Sequence, residues 1–92
     1  MREILTTLID DTSRQLPILK SAILAEDSQK CMQVAHYSKG ACANVGAQAA
    51  ATVLKQIERE AAGRKFPECL ASLVNLALQL ELLRLEAAGP LQ

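Results

Sequence analysis

The sequence predicts an all-α protein, a single antiparallel up-down four-helix bundle. Three observations predict it. Ala and Leu together supply 30 of the 92 residues, a helix-forming composition, while aromatic residues make up only 2% and β-branched residues are too few to favour a sheet. Apolar residues recur at steps of three and four along four stretches. The joints between these stretches are short, which places successive helices side by side and in opposite directions. The length is that of one domain, with no room for a nucleotide-binding catalytic domain beside a second module.

The first helix is predicted over about 2–25, with Ile4, Leu5, Leu8, Ile9, Leu16, Leu19 and Ile23 on its apolar side. Pro17 falls inside it and predicts a kink or a break, because proline removes a backbone donor and crowds the preceding turn. Glu26-Asp27-Ser28 forms the next joint, with Ser28 as N-cap of a second helix over about 29–44. There Cys31, Ala35, Ser38, Cys42 and Val45 step by four, three, four and three into one core-facing stripe. Val45-Gly46 turns the chain into a third helix over about 47–62, with Ala50, Val53, Leu54 and Ile57 inward. Gly63 is expected just past its end, and Pro67 suits the first turn of a fourth helix over about 67–88. Gly89-Pro90 stops that helix, and residues Gly89 to Gln92 are expected to fray. The fourth helix is richer in leucine than a bundle core requires. Leu70, Leu73, Leu76, Ala77 and Leu80 form its inward face, and Val74, Leu78, Leu82 and Leu85 form a second stripe. That stripe is either a wide core contact or a surface for self-association through Leu78, Leu82 and Leu85.

Lys plus Arg and Asp plus Glu number 10 each, so the formal net charge is zero. Neither nucleic acid nor an anionic membrane is therefore an expected partner. No uninterrupted apolar run approaches the roughly 20 residues of a membrane span, and the opening MREILTTLIDD lacks the pattern of a secretory signal. The three cysteines, Cys31, Cys42 and Cys69, are odd in number and show no C-x-x-C spacing, so neither a disulfide framework nor a metal site is expected. They read as small buried hydrophobes of a cytoplasmic protein.

His36 is the one histidine, and helical geometry turns it away from the core stripe. A lone helical histidine usually means little, but its neighbours form a pattern. Gly40 lies one turn later on the same outward face, although glycine inside a helix is unfavourable by about 1 kcal/mol relative to alanine. Ala43 extends the bare strip. Small residues there leave space for something large to approach the ring. Lys39, three residues on, is placed to bring its ammonium toward anything the ring carries. Imidazole is as a class mostly neutral at pH 7, so it offers a nucleophilic nitrogen. A phosphoryl group accepted there would bring negative charge next to Lys39. The chain holds no glycine-rich ATP loop and no Ser-His-Asp arrangement.

The run A35-H36-Y37-S38-K39-G40-A41-C42-A43-N44-V45-G46 resembles the signature of histidine-containing phosphotransfer (HPt) domains of two-component phosphorelays. An acidic pair near a helix start (Asp10-Asp11), an Ala-rich third helix and a Leu-rich fourth extend the likeness over nearly the whole chain. Two positions depart from the family. Ser38 stands where an apolar residue is common; a serine can bond back to the carbonyl four residues earlier, so the change is tolerable. Tyr37 replaces a small residue and bears on partner choice. The resemblance implies a phosphocarrier rather than an enzyme. His36 would accept phosphoryl from an aspartyl phosphate on a receiver domain and pass it to another receiver's Asp. The receiver would supply Mg²⁺, and this chain would need no cofactor or metal of its own. Response-regulator receivers are the implied partners, with a hybrid histidine kinase as a further one.

Antiparallel helices joined at Val45-Gly46 bring His36 near residues 55–58. Glu58 is the acidic residue there and either orients the imidazole by a hydrogen bond or faces solvent beside a lysine. Gln33, beside His36, is a candidate for partner contact. Residues 28–65 carry a net +4, flanked by segments of −2 each, and a basic face around His36 would attract an acidic receiver pocket. Two other readings are a helical interaction module with an incidental histidine, and the dimerisation domain of a histidine kinase. The latter usually has an acidic residue directly after the histidine and a proline soon after, where this chain has Tyr37-Ser38-Lys39-Gly40.

Overall fold

The computed structural model describes the backbone of residues 2–88 and the side chains of residues 7–86. It contains four helices, α1 (Arg2–Leu24), α2 (Ser28–Asn44), α3 (Gln48–Ala62) and α4 (Phe66–Ala88). Each boundary falls within one residue of the predicted one. The expected fraying at Gly89–Gln92 and the side chains of Ile4 and Leu5 lie outside the described residues. α1 packs on α2 and α4, and α3 packs on the same two. The helices therefore stand in a ring in chain order, and α2 lies diagonal to α4. The rod measures 43 × 20 × 18 Å.

Ile9, Leu19, Ile23, Leu54, Ile57, Leu76 and Leu80 fill the core, with Cys31, Ala35, Cys42, Ala50, Ala61 and Cys69 fully buried between them; Val45, expected on the same stripe, is instead exposed, because it caps α2 beyond the last helical residue. The small residues of α2 and α3 let these two helices make the most extensive contact in the bundle. His36 occupies the middle of α2, so the hairpin that carries it is also the best-packed part of the molecule.

α1 runs unbroken through Pro17. Pro17 is on the exposed side of the helix, where solvent can satisfy the carbonyl it leaves unpaired, and Leu19 and Ile23 pin the helix to the core beyond it. The N-cap of α2 is Asp27 rather than Ser28; its carboxylate accepts from the Lys30 amide at 3.1 Å. Ser28 is the first helical residue, and its hydroxyl instead donates to the Ala61 carbonyl at 2.6 Å, tying the start of α2 to the end of α3.

All three joints share one device. The helix ends in a residue with positive φ whose amide, and the next one, turn back to the last carbonyls. The pairs are Glu26 to Ile23 and Asp27 to Ala22, Gly46 to Ala43 and Ala47 to Cys42, and Arg64 to Ala61 and Lys65 to Glu60. The left-handed residues are Glu26 (φ 56°), Gly46 (φ 80°) and Arg64 (φ 56°). Gly63, expected to hold such a position, is the ordinary C-cap with φ −89°. Arg64 takes the strained role one residue later, its guanidinium over the Phe66 ring at 5.2 Å.

On α4, Val74, Leu78, Leu82 and Leu85 are 49–72% exposed, so the second stripe is not core. Phe66–Glu86 is long and apolar enough by length and composition to cross a membrane. The sequence reading missed this because it counted uninterrupted apolar residues, whereas the helix carries only scattered polar ones. About a third of that stretch is buried in the bundle, as befits a core helix with an additional apolar face.

Candidate functional site

α2 and α3 together place three titratable side chains in one cluster. The Glu58 carboxylate lies between two donors, with Oε2 3.0 Å from His36 Nδ1 and Oε1 2.8 Å from Lys39 Nζ. The antiparallel hairpin sets this geometry. Ala35 and Ser38 of α2, together with Ile57 of α3, point inward, which turns His36, Lys39 and Glu58 onto the adjoining outer edge. Glu58 makes both the imidazole contact and the lysine contact considered from the sequence, but at 24% exposure it does not face solvent.

The imidazole is open to solvent, its side chain 70% exposed, while Lys39 and Glu58 are 28% and 24% exposed. A carboxylate only accepts, so the neutral ring must carry its hydrogen on Nδ1 to make this bond. The lone pair of Nε2 is thereby left pointing away from Glu58, the arrangement a nucleophile requires. Partial burial pushes the Glu58 carboxyl up, but hydrogen bonds from Lys39 and His36 and the charges on both outweigh this and hold it below its ordinary value. Glu58 is therefore an anion at neutral pH. Lys39 is not free in this state; its ammonium already has a carboxylate partner.

Around the ring the surface is bare on one side and shaped on the other. A Cβ built on Gly40 meets nothing within 4 Å, and Ala43 is exposed beyond it. Toward the start of α2, Gln29, Met32, Gln33, His36 and Tyr37 line a shallow hollow of about 500 Å³. Gln33 is thus on the site's rim. Gln29 and Met32 were missed from the sequence, although their spacing of seven and four residues before His36 puts them on its face of the helix. Ser38 makes no back-bond. Its hydroxyl is buried and has no hydrogen-bond partner. The described residues contain no cluster of His, Cys, Asp or Glu able to hold a metal. All three cysteines are free and buried; burial raises each thiol, and with the charge of Glu60 nearby it pushes Cys69 up to about 11.

The Hpt domain family model matches residues 3–88, which is nearly the whole chain. The chain belongs to the Hpt domain family. Comparison with curated proteins and with solved structures finds no match. Hpt domains serve phosphotransfer in two-component signalling, act with receiver domains and are in general carriers rather than enzymes. The four-helix architecture of this Hpt domain agrees with that membership, and its one histidine lies inside the matched span.

Proposed function

We propose that His36 is the phosphoryl-carrying residue of a phosphorelay, accepting from a receiver's aspartyl phosphate and donating to another receiver's Asp. The observation that carries this reading is the Nδ1–Glu58 contact on a solvent-open ring. Nε2 attacks phosphorus, the N–P bond forms, and the P–O bond to the aspartyl oxygen breaks with its electron pair returning to the carboxylate. The Nδ1 hydrogen stays on the ring, and Glu58 stabilises the positive charge that the ring acquires. Donation runs the same steps in reverse. Lys39 exchanges its Glu58 contact for the arriving phosphoryl oxygens, so negative charge always faces that ammonium. Gly40 and Ala43 give the receiver's loops space, and Gln33 contacts them at the rim. Positioning and charge neutralisation carry most of phosphoryl transfer, which is why a small bundle suffices. Mg²⁺ belongs to the receiver.

Such a carrier works where receivers work, in the cytoplasm, and three free thiols suit that reducing compartment. Incubation with a phosphorylated receiver should label the chain with acid-labile, alkali-stable phosphate. His36→Gln should abolish labelling, and label persisting in that variant would refute the assignment. Gly40→Leu should slow transfer at least tenfold, by obstructing approach, while leaving the helical spectrum intact.

A further inference from the structure

The outer face of α4 is unused by the site described above. Val74, Leu78, Leu82 and Leu85 are 72%, 57%, 49% and 61% exposed. At 100° per residue they fall within one narrow stripe, and Ala71 continues it toward the start of the helix. Beside Val74, between α1 and α4, lies an apolar groove of about 550 Å³ lined chiefly by Leu16, Pro17, Leu70, Leu73 and Ala77. Exposed leucines scattered singly need no explanation, but a continuous stripe with an adjoining groove does.

We propose that this face is covered by α4 of a second copy of the chain, packed antiparallel about a two-fold axis near residues 79–80. The stripe is self-complementary in that register. Val74 lies opposite Leu85 of the second copy and Leu78 opposite its Leu82, so each large exposed apolar side chain described on α4 meets another. Leu85 of the second copy stands at the height of the groove and provides the knob to fill it. Charge does not oppose the pairing. The chain is formally neutral, and Glu81, the acidic residue flanking the axis, is 3.6 Å from Arg84 on its own helix. Arg84 also reaches Asp10 of α1 at 3.6 Å. The four side chains expose on the order of 400 Å² per copy. With the groove and flanking stems, the pair approaches the lower end of about 1,200–2,000 Å² for specific interfaces, so the dimer is a weak one that forms with concentration. Because α2 is diagonal to α4, pairing leaves both copies of His36 on outward faces. The dimer then offers two acceptor sites at once, an advantage toward a dimeric partner.

Sedimentation equilibrium from about 5 to 500 μM spans the affinities expected of so small an interface. The mass should rise from 9.9 kDa toward twice that value. Leu78→Glu should remain at the single-chain mass with unchanged helicity, since the side chain is exposed. A wild-type chain that stays single at the highest concentration overturns the proposal, as does flotation of a single-chain species with phosphatidylcholine vesicles, which would make lipid the occupant. Register is tested by mild oxidation. Glu81→Cys, next to the axis, should cross-link, and Val74→Cys, about one and a half turns from the axis and so about three turns from its counterpart, should not; the reverse result overturns the antiparallel arrangement. The inference stands apart from the role of His36, because Leu78→Glu should take up label from a phosphorylated receiver as the wild type does.

Discussion

Glu58 accepts from His36 and Lys39 together, so its charge couples the site to the fold. A carboxyl whose value is lowered by folding stabilises the native state above the ordinary Glu range, and that contribution is lost as pH falls through the lowered value. Wild type should therefore be more stable to urea than Glu58→Gln at pH 7, and the two denaturation midpoints should converge as the pH falls through the lowered value of the Glu58 carboxyl. Ser38 presents the opposite case. Its buried hydroxyl has no partner, and a buried unsatisfied polar group is unfavourable by roughly 1–3 kcal/mol. Ser38→Ala should raise unfolding stability by about 1 kcal/mol, read as a higher urea midpoint at unchanged slope. The outward turn of His36 and its neighbourhood with Glu58 were legible in the sequence, because helical phase and hairpin connectivity determine both. The fate of the Ser38 hydroxyl was not. Whether a serine back-bonds depends on its rotamer and its packing, which residue spacing does not carry.

At the scale of the elements, apolar periodicity located all four helices to within a residue, since each must bury one face. The joints were harder to read. Asp27 and Ser28 are adjacent and both favour caps, and the winner is set by where the previous helix ends: Glu26 and Asp27 close α1, leaving Asp27 to begin α2. Gly63 suggested a left-handed turn by its chemistry, yet α3 extends to Ala62 and the turn falls on Arg64. Two of the three left-handed positions are consequently occupied by residues with a Cβ, at about 1–2 kcal/mol each. Arg64 is compensated by its contact with Phe66. Glu26 makes no comparable ring contact, so Glu26→Gly should stabilise the bundle by about 0.5–1 kcal/mol in chemical denaturation, the gain being reduced by the freedom glycine adds to the unfolded chain.

For the whole molecule, a balanced composition conceals an uneven distribution. The neutral chain carries its net +4 on the hairpin bearing His36, and its spare apolar surface on the diagonal helix. The cysteines belong wholly to the interior. Raised and buried, they should react with a thiol reagent such as DTNB only as fast as the bundle opens, and a variant of lower stability should react faster in proportion. One histidine in the entire chain has a spectroscopic consequence. The imidazole region of a ¹H–¹⁵N correlation spectrum contains signals from a single residue. The Nδ1–Glu58 bond should appear there as one tautomer of the neutral ring, with a pyrrole-type Nδ1 and a pyridine-type Nε2. Arrival of a phosphoryl group would convert the second nitrogen from pyridine-type to pyrrole-type, so the loaded and empty carriers could be counted in the same tube of ¹⁵N-enriched protein without radioactive phosphate or mutation.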